Sequence, residues 1–281
     1  MRVKTVVIIA FSLVGLSCHQ QKTNLNHRFF NLTHEKDAGV EQVLPELKQS
    51  RLILVGEQHD NERHHQAQLA VVRMLHESGV DVAIGMEMFR KNSQPALDQW
   101  VAGEIDEKTF EAVYYDNWNF DWRLYRPILE YARQNRIPVI GLNVPREITR
   151  QVARQGYQSL DEDQRHALGD VACRVDKEYM EFIRRSYGAH AHGNMQFLYF
   201  CEAQMVWDAA MAVNALDFLK AHPNRAMVLM AGTGHVRKQA IPAQVRQRAE
   251  LPTIVILPEV PGVIESGMID RRDADFIYIH R

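Results

Sequence analysis

Apolar residues run without interruption through "RLILVG", residues 51–56, and stop at a glycine. A short, continuous apolar run of this kind predicts a buried strand. The next stretch, "NERHHQAQLAVVRMLHESG" (61–79), has helical spacing and ends on glycine, a usual helix stop. The same alternation recurs downstream. Strands are predicted at 81–89, 137–144, 225–232, 251–259 and 275–280, with helices at 123–136 and near 236–249. Strands that are apolar throughout, separated by helices, imply a mostly parallel sheet covered by helices on both faces, an α/β fold. Residues of about 145–222 read as helix only, and are expected to form an α-helical cap insertion. Its last helix, 194–221, is apolar nearly all round. Glu202, Gln204, Asp208, Asn214 and Asp217 interrupt it too often for a membrane span, so it is expected to be buried in protein.

The first residues follow a different pattern. Arg2 and Lys4 precede "TVVIIAFSLVGL", too short to cross a bilayer comfortably, since that takes about 20 apolar residues. A basic start, a short apolar core and then Ser17 and Cys18 describe an export signal. Cysteine after a small residue resembles a bacterial lipobox, although Gly15 and Leu16 depart from its usual order. Residues 1–18 are therefore expected to be a signal peptide with Cys18 as the lipidation site. Cleavage elsewhere and an uncleaved anchor are the alternatives. The expected location is the outer membrane, facing the periplasm, with the lipid as sole membrane contact; a soluble periplasmic protein is the alternative. Residues 19–45 are polar and irregular and read as a tether, leaving 46–281 as one domain.

Composition adds exclusions. The chain has 281 residues, 46% of them hydrophobic, and 33 basic against 35 acidic residues give a net charge of −2. That balance offers no electrostatic attraction to nucleic acid or to an anionic membrane. Thirteen histidines and eleven methionines make metal or haem chemistry worth testing. Three cysteines are a poor disulfide framework. With Cys18 lipidated, Cys201 reads as a buried free thiol in an apolar helix, and a Cys173–Cys201 bridge is the alternative.

In an open parallel sheet, ligands bind beyond the carboxyl ends of the strands. The polar residues gather there. The first strand ends in Gly56, Glu57, Gln58 and His59, the second carries Glu87, the third ends in Asn143, and the fourth ends in "AGTGH", which supplies Gly232, Gly234 and His235. Carboxylates beside imidazoles can act as general acid and base, each shifting the other's pKa. His59 and His235 could equally hold a divalent metal. The plain alternative for each is structural, with Asp60 or Asn61 capping the helix at 61–79. "YYDNWNFDW" (114–122) reads as packing for the helix that follows, with Asp121 as its N-cap, or as the lining of a pocket mouth.

The order "LVGEQHDN", "GMEMF", "CEAQMVWDAAMA", "AGTGH" resembles the ChaN family of haem-binding lipoproteins, within the superfamily that includes Tiki, TraB/PrgY and erythromycin esterase proteins. The likeness covers roughly residues 40–260. In the superfamily these motifs build a hydrolase-like pocket, which falls here on Gly56, Glu57, His59, Glu87, Gly232, Gly234 and His235, with Gln204 and Asp208 on one face of the preceding helix. In the ChaN branch the resemblance implies haem binding linked to iron uptake, with two haems held face to face across a dimer and a tyrosine on each iron. A homodimer, formed with or without haem, and an outer-membrane haem receptor or uptake system are the implied partners. A metal-dependent or acid–base hydrolase of peptides or esters is the alternative.

The best local composition for haem is "RRSYGAHAHGN" (184–194). Tyr187, His190 and His192 are candidate iron ligands there, since phenolate oxygen suits ferric iron. Arg184 and Arg185 are candidate partners for the propionates. Tyr157, Tyr179, Tyr114 and Tyr115 are the competing tyrosines, and a solvated turn is the plain alternative.

Overall fold

The computed structural model of the chain describes residues 27–168, 175, 177–187 and 194–280. A hairpin of β1 (Arg28–Asn31) and β2 (Lys36–Gly39) leads through α1 (Val40–Gln49) into β3 (Leu52–Glu57). There follow α2 (Glu62–Glu77), β4 (Val82–Arg90), α3 (Gln94–Ala102), α4 (Glu107–Asn117), α5 (Trp122–Asn135) and β5 (Val139–Asn143). Next come α6 (Arg146–Gln155), a 3-10 turn at Tyr157–Ser159, α7 (Glu162–Leu168), α8 (Lys177–Tyr187) and α9 (Asn194–Ala221). The chain closes with β6 (Ala226–Gly232), α10 (Thr233–Val236), α11 (Ile241–Arg246), β7 (Thr253–Pro258) and β8 (Phe276–Ile279).

These strands form one sheet in the order β2-β1-β8-β7-β3-β6-β4-β5. All pairings from β8 to β5 are parallel, and only the β1–β2 and β1–β8 pairings are antiparallel. The α/β fold expected from the apolar strands is therefore what the structure shows. Successive strand residues point to opposite faces. Ile53, Val55, Ile84, Met86, Val228 and Met230 join one core with α1 to α5, while Leu52, Leu54, Met227 and Leu229 join the other with α9 and α11. Both faces of the central strands are dry, which is why β3, β4, β6 and β7 are apolar along most of their length.

Helix α9 serves two regions. Met211, Ala212, Ala215 and Leu219 in its second half cover the sheet. Residues of its first half pack instead on α6 and α8, through Ala203 and Val206 on one side and Phe197, Cys201 and Met205 on the other.

Two expectations are corrected. Residues 28–45 are not tether: they form β1, β2 and the start of α1. Four-residue strands carry little periodicity, and β1 is fixed by tertiary contacts, with Phe29 packed edge-on against Phe276 and Tyr278. The single helix near 236–249 is two short ones, α10 and α11, with Pro242 in the first turn of the second. Cys18 and Cys173 lie outside the described residues. Cys201 is fully buried, and burial pushes its thiol up to about 11.

Candidate functional site

Strands β3, β6, β4 and β5 are neighbours, so their carboxyl ends meet at one rim of the sheet. Glu57 ends β3, and its carboxylate is fully enclosed. It accepts from His59 Nδ1 at 2.7 Å, from Gln68 Nε2 at 2.8 Å and from the Tyr125 hydroxyl, while His65 Nδ1 lies 3.3 Å away. Burial alone would raise the pKa of Glu57, but the hydrogen bonds and charges of His59 and His65 outweigh it and hold the group down at about 2. The same partnership works in reverse on the imidazoles. Burial disfavours their charged forms, yet the Glu57 hydrogen bond raises both His59 and His65.

A second carboxylate–imidazole pair faces the first. His235 Nδ1 lies 2.7 Å from Asp208 Oδ1, and Tyr179 donates to Asp208 Oδ2 at 2.7 Å. Glu87 stands between the pairs. Its Oε2 accepts from the Gly232 N–H at 2.8 Å, its Oε1 is 3.8 Å from His235 Nε2, and its backbone carbonyl accepts from Asn143 Nδ2 at 2.8 Å. Burial opposes charge on His235, but the carboxylates of Glu87 and Asp208 overcome it and lift the imidazole to about 9.

Gly232 shows how close the parts are. A Cβ there would sit 3.0 Å from His59 Cε1 and 3.8 Å from Glu87 Oε2. Glycine at this position is what lets the β6 terminus pass beneath His59. The structure thus brings Glu57, His59, Glu87 and His235 together with Gln204 and Asp208. Asp60 is exposed, and Asn61 caps α2 by accepting from the Arg63 N–H.

Chemically, two imidazoles each held by a carboxylate can give and take protons. His59 is the member that reaches outward, with its side chain 29% exposed, and it meets Trp118 edge-on at 5.0 Å and Phe120 at 5.1 Å. Among the described residues no three histidine, cysteine or acidic side chains are placed to hold a metal ion. Glu57 and Asp208 engage Nδ1 of His59 and His235, so the Nε2 atoms and the Glu87 carboxylate are the groups left to meet the expected divalent metal.

Above the pairs lies a cleft of about 370 Å³, lined by Trp118, Phe120, Phe200 and Trp207 with Arg146 and Arg150 at its side. Gln204 also lines it, and its buried Oε1 has no hydrogen-bond partner among the described residues. Neither arginine pairs with a carboxylate among the described residues; Arg146 donates to the backbone carbonyl of Asn117. Sequence reading missed Tyr125, His65 and Gln68 around Glu57, and it missed this cleft. The spacing of His65 and Gln68, one turn apart on the buried face of the helix after Glu57, was the available signal. Of the stretch 114–122, Tyr114 and Trp122 pack in the core and Asp121 caps α5, whereas Trp118 and Phe120 face the cleft.

The haem candidates fare differently. His190 and His192 lie outside the described residues, as does the side chain of Tyr187, whose backbone ends α8. Arg184 and Arg185 are exposed, with Arg184 over the Phe197 ring at 4.7 Å. Tyr179 is committed to Asp208, and Tyr114 donates to the Phe120 carbonyl.

Comparison with known proteins matches residues 43–245 to the family described as haem-binding uptake, Tiki superfamily, ChaN. The chain belongs to the ChaN family. Its fold is also that of a ChaN of Campylobacter jejuni whose structure concerns cofacial haem binding, at 21% identity and a TM-score of 0.71, over 92% of this chain and 98% of that one. A type III effector, HopBA1, matches at 15% identity and a TM-score of 0.50, over 85% and 92% of the two chains. Protein RETICULATA-RELATED 5, chloroplastic, of Arabidopsis thaliana is 27% identical over 131 residues, 44% of this ChaN-family chain. The chain spans only 18% of that protein's length.

Proposed function

We propose that this ChaN-family protein binds haem in the cleft above the strand ends and acts in haem uptake as an exported lipoprotein. The observation that carries the reading is the cleft itself, on a chain whose family is a haem-binding one. A macrocycle needs flat apolar cover, and Trp118, Phe120, Phe200 and Trp207 offer it. Propionates need cations, and Arg146 and Arg150 stand beside those rings without a carboxylate partner among the described residues. Bound haem would supply a ferric centre for an oxygen or nitrogen ligand. Tyr187, His190 and His192 are the proposed sources of that ligand, and Arg184 and Arg185 the secondary propionate partners.

A haem is larger than this cleft, so part of it would remain outside. Exposed apolar surface favours association, and a second copy of the chain is the proposed cover, giving a homodimer formed on haem. Lipidation at Cys18 would hold the protein at the outer membrane on its periplasmic side, close to an uptake receptor. The family match favours this reading over the hydrolytic alternative.

Titration of the purified chain with haemin, followed by its Soret band, tests the proposal. Saturable binding that weakens in the Arg146→Gln/Arg150→Gln double variant and changes its spectrum in Tyr187→Phe is expected. A spectrum indifferent to all three changes, or the absence of a saturable band, would remove the site.

A further inference from the structure

A larger hollow lies elsewhere, between α2 and the end of β8, beside His27 at the start of β1. Its volume is about 590 Å³, within the roughly 300–1,000 Å³ of small-molecule sites. Arg63, Gln66, Ala67, Ala70 and Arg73 line one wall, and His27, Tyr278 and His280 line the other. The α2 residues repeat at three- and four-residue steps, so they form one stripe of the helix. Two alanines in the middle of that stripe leave space that larger side chains would fill. An arginine stands at each end. Ten residues of helix separate them by about 15 Å along the axis.

The wall is basic and its donors are unspent. Among the described residues no acidic side chain lines the hollow. Neither arginine makes an ion pair among the described residues, and Arg73 only rests over the Tyr131 ring at 4.9 Å. Arg73 Nε and His280 Nε2 are buried without a hydrogen-bond partner among the described residues. A buried donor such as Arg73 Nε costs free energy until an acceptor meets it. His27 Nδ1 is engaged by the Tyr278 hydroxyl, which fixes that pair as a rigid side of the mouth.

We propose that this hollow binds an elongated organic anion, with one carboxylate or phosphate between Arg63 and His280, an apolar middle over Ala67 and Ala70, and a second polar end at Arg73. The site is distinct from the strand-end cleft and does not depend on haem. Burial, reinforced by the Arg63 charge, keeps His280 down at about 4, so the imidazole is neutral at pH 7 and an anion beside it would raise its titration.

Calorimetric titration of the full chain with octanoate, octanedioate and 1-octanol tests the proposal. Both anions are expected to bind, and octanol roughly tenfold or more weakly, because it lacks the charge-assisted bonds. Arg63→Gln should weaken both anions roughly tenfold, and Arg73→Gln should weaken octanedioate alone by a similar factor. Arg63 is exposed, so its replacement should leave the fold intact, which circular dichroism checks. Octanoate should also move the His280 imidazole titration upward, as read by NMR. Octanol binding as tightly as octanoate, affinities unmoved by the two substitutions, or no binding of any probe overturns the proposal.

Discussion

Glu57 is the residue on which most of the site turns. Four donor side chains surround its carboxylate, and the group is charged because they are there. The linkage has a definite sign. A carboxyl held at about 2 in the fold, against 4.5 free, contributes stability above pH 4.5 that is lost as pH falls toward 2. The full shift corresponds to about 3 kcal/mol, shared with His59 and His65. Glu57→Gln should therefore lower the His59 and His65 titrations, visible in imidazole NMR spectra, and flatten the acid limb of the stability curve. His235 works in the other direction. Its pKa is raised from 6.5 to about 9, so its contribution is complete below pH 6.5 and disappears as pH rises through 9. Asp208→Asn should remove much of that alkaline slope in denaturant melts measured across pH 6 to 10. A slope unchanged by the substitution would mean that Asp208 does not hold the imidazolium. Glu57, His59, Glu87 and His235 were readable as a set because each lies at or near the carboxyl end of an apolar strand. Tyr125 was not, since it arrives from α5 and only packing brings its hydroxyl to Glu57.

At the level of elements, the strands were legible because both faces of the sheet are dry, and the hairpin of β1 and β2 was not, because its strands are short and half-covered. The β4–β5 pairing illustrates how tightly such elements meet. Its register shifts between Met86 and Arg90, and Gly141 sits opposite. A Cβ on Gly141 would stand 2.5 Å from the Arg90 carbonyl oxygen, which is backbone and cannot swing aside. Gly141→Ala should cost about 1–3 kcal/mol by urea unfolding. Gly79 is the instructive contrast: space around it is open, but its φ is +83°, so Gly79→Ala should cost about 1 kcal/mol from backbone strain alone. Equal losses at the two positions would mean that the carbonyl contact is relieved. Helix α9 makes the same point at greater length. Its sequence is apolar nearly all round because one half covers the sheet and the other is enclosed by α6 and α8, and Gln204 and Asp208 interrupt it where it meets the strand-end site.

For the whole molecule, the claim with the widest consequence is association on haem. Mass in solution should double when haemin is added to the lipid-free chain, and Trp207→Ala should weaken both the Soret change and the doubling together. A monomer that binds haem fully would leave the cleft reading intact and remove the dimer. Among the described residues no helix is long and apolar enough to cross a membrane. That agrees with reading α9 as a buried helix.

The parallel sheet, the rim at which polar residues collect and the kinship with ChaN proteins are written in the chain itself. These are carried by local runs and motif order, which survive without knowledge of distant contacts. Which carboxylate holds which imidazole, that Trp118 and Phe120 come to rest on His59, and that α2 and β8 leave a basic hollow between them follow from the packing of the folded chain. Apart from Glu57 and His59, which are two residues apart, those outcomes depend on side chains distant in sequence meeting within a few ångströms, and no local pattern encodes that distance.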